Sequence, residues 1–159
     1  MFLPFSDSLI VTNGFDPEMS MLADRHYSRR TPGARQFMYS GKKLVIRNSE
    51  GTILFCWMFP DPEMRMDDQT GLYCSIFRNE SARCSSDVIL ECEQLAIEKW
   101  GGQRMYTFID PKKLRTIKRR GVEFCRLPPG RCFYEAGWYF EGKTKSGKHI
   151  LVKNDYALP

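Results

Sequence analysis

The sequence predicts one α/β domain, a mixed central sheet of about six or seven strands flanked by helices. Three observations carry that prediction. Residues 52–59, Thr-Ile-Leu-Phe-Cys-Trp-Met-Phe, are almost continuously apolar, as a strand covered on both faces is. Residues 85–100 set Val88, Ile89, Cys92, Leu95, Ala96 and Trp100 at helical spacing and stop at Gly101-Gly102. Two further stretches read as hairpins: 43–47 with 52–59 across Asn48-Ser49-Glu50-Gly51, and 138–140 with 149–152 across a Gly, Ser and Lys-rich turn.

The elements follow in order. Asp16-Pro17-Glu18 supplies a cap, a first-turn proline and an acid for the dipole, so a helix is expected from there to about Tyr27, before Thr31-Pro32-Gly33 breaks the chain. After the first hairpin, 60–70 is a polar, acidic loop and 71–78 a strand. Ser85 or Ser86 is expected to cap the long helix. Residues 105–109 form the next strand, and Asp110-Pro111 is expected to start a short, very basic helix. Pro128-Pro129-Gly130 precedes a short helical run over 131–136, which Gly137 stops. Trp57, Trp100 and Trp138 read as core or groove wall.

Bulk properties set limits. The chain has 159 residues, 42% hydrophobic and 27% charged, which suits one folded domain. No apolar run approaches the ~20 residues that cross a bilayer, and residues 1–10 lack a basic leader, so the protein is expected to be cytoplasmic. The six cysteines contain no C-x-x-C pair and are expected to be reduced, and with only His26 and His149 available no metal is expected.

Charge is uneven. The formal net charge is +5, and 111–131 holds Lys112, Lys113, Arg115, Lys118, Arg119, Arg120, Arg126 and Arg131 against Glu123 alone. Arg25, Arg29, Arg30 and Arg35 surround His26-Tyr27 in a second cluster. Either cluster alone reads as a solvated face. Together, with Tyr27 and Phe37 among the arginines, they point to a phosphate-bearing partner, a polyanionic cofactor or nucleic acid.

The order helix, hairpin, strand, long helix, strand, short helix and closing hairpin resembles the GNAT acyltransferase fold. The resemblance implies that Arg83-Cys84-Ser85-Ser86-Asp87-Val88 is the turn whose backbone cradles a pyrophosphate, with Ser86 and Val88 where the family has small residues. Phe77, Asn79, Arg83, Ser85 and Ser86 are then the donor-binding residues, and acetyl-CoA or another acyl donor the cosubstrate. Phe133-Tyr134-Glu135-Ala136-Gly137-Trp138 resembles the late helix ending in Gly-aromatic. The family often places a tyrosine where Phe133 stands. Either Tyr134 substitutes for it, or the leaving group is not a thiolate. A closer likeness is to the Mom family of phage DNA-modification proteins, a divergent GNAT-like branch. It rests on Asp24-Arg25-His26-Tyr27-Ser28, on Phe77-Arg78-Asn79-Glu80 leading to Ser85-Ser86, and on Asp110, and spans roughly 23–138.

These readings give a catalytic set of His26, Tyr27, Arg78, Glu80, Asp110 and Tyr134. All but Tyr134 have a plain alternative: a surface histidine at a helix end for His26, a core aromatic for Tyr27, a loop ion pair for Arg78 and Glu80, and a helix cap for Asp110. Arg29, Arg30, Lys112, Lys113, Arg115, Lys118, Arg119 and Arg120 are the expected nucleic-acid contacts. The resemblance implies acyl transfer to a nucleobase of phage DNA, in the host bacterial cytoplasm, with an acetyl-CoA dependent N-acetyltransferase or a catalytically silent nucleic-acid-binding fold as alternatives. The geometry this needs is two neighbouring strands splaying just past Phe77.

Overall fold

The computed structural model describes residues 8–26, 29, 31–38, 41–61, 68–113, 116–125 and 128–157, with 116–119 and 122–125 described as backbone. In chain order the elements are β1 (Leu9–Thr12), α1 (Pro17–Asp24), β2 (Lys42–Asn48), β3 (Ile53–Phe59), β4 (Leu72–Asn79), α2 (Ser85–Trp100) and β5 (Met105–Ile109). A 3₁₀ turn, Pro111–Lys113, leads to β6 (Thr116–Arg119) and β7 (Val122–Cys125), then α3 (Arg131–Glu135), β8 (Tyr139–Lys143) and β9 (His149–Lys153). Seven strands form one sheet in the order β1-β2-β3-β4-β5-β9-β8, while β6 and β7 form a separate two-stranded ribbon. Only β4 and β5 run parallel, because α2 carries the chain back between them.

The continuous apolar run of β3 is explained by a covering layer on each face. Ile53, Phe55 and Trp57 join α2 and α3 in one core, and Leu54, Cys56 and Met58 join Met19, Leu22 and Ala23 of α1 in the other. The indole N–H of buried Trp57 donates to the Cys92 carbonyl at 2.9 Å, which removes the cost of burying it. At the start of α1, Asp16 Oδ1 accepts from the Glu18 and Met19 amides, and Arg47 Nη1 donates to Asp16 Oδ2 at 2.9 Å, so one capping carboxylate ties the helix to β2. Beneath α2, Lys153 Nζ lies 2.6 Å from the buried Glu93 carboxylate and donates to the Ala136 carbonyl at 2.7 Å.

The structure corrects three expectations and adds one strand. The helix α1 ends at Asp24, short of Tyr27, which lies outside the described residues. Strand β1 pairs with β2 at the sheet edge and was not expected, although its Leu-Ile-Val-Thr run favours a strand. The N-cap of α2 is Cys84 and makes no side-chain capping bond, so neither Ser85 nor Ser86 is the cap. The basic helix expected after Asp110 is a single 3₁₀ turn followed by the ribbon. Arg120 and Gly121 sit at φ 52° and 79° between the paired residues Arg119 and Val122. That is a primed two-residue turn, whose twist matches a hairpin and which a helix cannot contain. Among the described residues Cys56, Cys74, Cys84, Cys92 and Cys132 are free thiols. None of the described helices is long and apolar enough to cross a membrane, and no metal-binding group of side chains occurs among the described residues.

Candidate functional site

Strand β4 carries an extra residue. It pairs Trp57 with Cys74 and Cys56 with Ile76, leaving Ser75 between them as a bulge. A bulge bends its strand and increases the local twist. On the other side, the parallel ladder with β5 has only three rungs: Leu72 with Met105, Tyr73 with Tyr106 and Cys74 with Thr107. Beyond that point β4 stays with β3 and β5 stays with β9, so the two strands part. The fork opens at Cys74 and Thr107, three residues earlier than the sequence argument placed it, because the bulge sits at Ser75. Thr107 Oγ1 donates to the Cys74 carbonyl at 2.8 Å and closes the crotch with a side-chain bond.

The gap is a cavity of about 150 Å³. Ser75 and Phe77 line it from β4, Thr107, Phe108 and Ile109 from β5, and Gly130, Cys132 and Phe133 from the start of α3. His26, on the turn after α1, completes it. A Cβ on Gly130 would come 2.8 Å from Leu151 and 3.0 Å from Ile109, so only glycine lets α3 seat this closely. Burial pushes the His26 pKa down to about 4, and the Arg78 charge adds to that shift. At neutral pH the imidazole is therefore uncharged, with a lone pair but little basicity.

Three charged groups meet beside it. Arg25 grips Glu80 through Nε at 2.8 Å and Nη2 at 3.1 Å, while Arg78 Nε reaches the same carboxylate at 2.9 Å. Arg78 also donates through Nη1 to the Arg25 carbonyl at 3.2 Å, which links the end of β4 to the end of α1. The hydrogen bond from Arg25, with the one from Arg78, outweighs burial and holds Glu80 below its ordinary pKa. Glu80 is thus an ionised latch between two guanidinium groups.

Asn79 shapes the turn into α2. Its Oδ1 accepts from the Ser81 amide at 2.9 Å, and its Nδ2 donates to the Arg83 carbonyl at 2.9 Å and to Ser85 Oγ at 3.0 Å. Arg83 pairs with Glu91, and Ser86 Oγ lies 3.1 Å from Cys84 Sγ. Four expected residues, Asn79, Arg83, Ser85 and Ser86, therefore build one loop at the exposed start of α2.

The remaining expected residues divide. Asp110 Oδ1 accepts from the Lys112 amide at 3.0 Å and so shapes the 3₁₀ turn. Tyr134 packs partly buried against the core and is not among the cavity-lining residues; the ring of Phe133 takes that wall. Arg29 is turned inward, its side chain 8% exposed and bonded to Asp24, Gln36 and Ala34, so it is not presented to a phosphate. Lys112, Lys113 and Arg120 are exposed. Arg30 and Arg115 lie outside the described residues, and Lys118 and Arg119 belong to β6. The sequence argument missed Thr107, Ser75, Gly130 and Cys132. Thr107 and Ser75 left the same signal, a small hydroxyl side chain among the largely apolar residues of a strand.

No protein-family model, no curated protein and no solved structure matches the chain.

Proposed function

We propose that this chain is a GNAT-like transferase that moves an acyl-type group onto a nucleobase of phage DNA, a hypermodification that protects the DNA from restriction. One observation carries the reading: β4 and β5 part at Cys74 and Thr107 and leave a cleft lined by apolar groups, with neutral His26 and Arg78 at its side. Such a fork admits a donor and an acceptor to one point from two directions. The element order supports the GNAT-like part of the proposal, since a long crossover helix joins the two splayed strands.

The acyl donor, acetyl-CoA or another, supplies an activated carbonyl carbon. Its phosphates suit the loop at Arg83 and Ser86, where α2 begins without a side-chain cap. Room is tighter there than glycines would leave, because Ser86 places its side chain against Cys84. In the transfer, an exocyclic amine forms a bond to the carbonyl carbon while the bond to the leaving group breaks. The leaving group takes that electron pair and a proton from solvent. The amine's proton passes to water hydrogen-bonded to His26, whose low pKa fits a hydrogen-bond acceptor rather than a strong base. Arg78 holds the oxygen on which negative charge develops.

Mass spectrometry of nucleosides from cells producing the protein tests this. A new modified nucleoside is expected, and Arg78→Ala should abolish it while leaving the fold intact. A folded wild-type protein that leaves every nucleoside unchanged contradicts the proposal. One rival has an observation of its own: Phe133 stands in the wall without a hydroxyl and His26 is a weak base, which favours a catalytically silent nucleic-acid binder.

A further inference from the structure

We propose that the ribbon β6–β7 is an arm that enters the major groove of duplex DNA and holds the duplex over the cleft. The inference rests on the DNA reading given above and adds the element that grips and the form of nucleic acid gripped.

Four observations converge on it. The ribbon is a sheet of its own, closed on itself by four cross-strand pairs and separate from the main sheet. A two-stranded ribbon is one of the two elements that a B-form major groove, about 12 Å wide, admits, whereas the deep, narrow major groove of A-form RNA excludes it. Its sequence is charged for this partner: Lys112, Lys113, Lys118, Arg119 and Arg120 stand against Glu123 alone over 111–125; Arg115 adds to them in the sequence. At the tip, Arg120 is exposed and held at φ 52°, a conformation that costs an arginine more than the asparagine or glycine a hairpin turn favours. The turn does not require an arginine at that position, and its exposed charge is available to a phosphate.

Placement supplies the fourth observation. The segment leaves the cleft wall at Ile109 and rejoins it at Gly130, and both residues line the cavity. Gly130 is packed against Ile109 and Leu151, so the two roots of the arm are fixed to each other and to β9. The arm thus springs from the rim of the cleft, and a duplex it holds is tethered to that rim.

Binding to a B-form DNA duplex is measured against salt for the wild type, for K118A/R119A/R120A and for Gly121→Val, with an RNA duplex of matched sequence alongside. The wild type should bind DNA with a steep negative slope and bind the RNA duplex at least about tenfold more weakly. The triple variant should lose about 0.9 of slope per phosphate contact removed, up to about 2.7. Gly121→Val keeps every charge but strains the turn at φ 79°, and should weaken DNA binding several-fold. If the triple variant fails to fold, Arg120→Gln at the exposed tip should still lower the slope by about 0.9. A wild type without salt-dependent DNA binding overturns the DNA reading itself. Steep wild-type binding with an unchanged slope in the basic variants overturns the arm alone. Wild-type affinity in Gly121→Val, or equal affinity for duplex RNA, overturns the groove geometry and leaves only a charged segment.

Discussion

The two ends of the β4–β5 pair are built on opposite principles. At the entry end, Gly71 at φ 99° lets β4 lie so close to β5 that a Cβ would collide with the Arg104 carbonyl, and the Leu72 amide donates to that carbonyl at 2.7 Å. Arg104 also bonds the Thr70 carbonyl and the Gln69 side chain, closing that end further. At the far end, the Ser75 bulge turns β4 away after three rungs, and one threonine hydroxyl replaces the next one. Close packing pins the sheet where nothing need enter. Where the strands separate, the walls are apolar and the polar groups are few and individually placed.

The largest effect is expected at the closed end. Gly71→Ala adds a backbone collision to a positive φ and should destabilise the protein by about 2–4 kcal/mol, read by denaturant unfolding. A negligible change would mean that the two strands are not pinned there. At the fork, Thr107→Val keeps the shape and removes the donor to the Cys74 carbonyl, with an expected cost of about 1–3 kcal/mol. Thr107→Ser, which restores the hydroxyl, should recover part of that loss; equal loss in both variants would assign Thr107 to packing alone. The smallest stability effect belongs to the Arg25–Glu80–Arg78 cluster, which is partly exposed. Glu80→Gln should cost less than about 1 kcal/mol at neutral pH. Because the Glu80 pKa is lowered, its contribution is present above the ordinary value of 4.5 and is lost as pH falls below it. The difference between wild type and Glu80→Gln should therefore shrink in acid, and a difference that grows would contradict the latch.

The same contrast explains what was legible in the sequence. The strands β2, β3, β4 and β5 and the helix α2 announce themselves through apolar runs and helical spacing, because each is decided by burial of its own residues. That Arg78 and His26 lie near one another is implied only by the resemblance to the Mom family; no periodicity or spacing in the residues brings them together. The bulge was not legible either, since it is a relation between the registers of two strands and a serine within a strand does not by itself mark one. Strand β1 carries strand-favouring residues, Leu9-Ile10-Val11-Thr12, but only four of them; in the fold Ile10 and Val11 are exposed and pairing with β2 holds the strand. The expected helix rests on Asp110-Pro111, an ordinary helix start; at the ribbon's tip Gly121 is the one turn-favouring residue, and Arg120 in place of asparagine or aspartate weakens the hairpin signal. Neither Ser85 nor Ser86 caps α2 as expected, because the Ser85 hydroxyl accepts from Asn79, whose side chain shapes the turn.

His26 lies in a desolvated cleft beside Arg78, and its titration tests that placement most directly. With only His26 and His149 in the chain, His149→Gln leaves one imidazole to follow by NMR. The predicted pKa is about 4, and the folded protein should lose stability as pH falls from about 6.5 towards 4, because over that window the unfolded chain binds the proton more readily. Titration of His26 near 6.5, unaffected by Arg78→Ala, would contradict the burial and the cleft together.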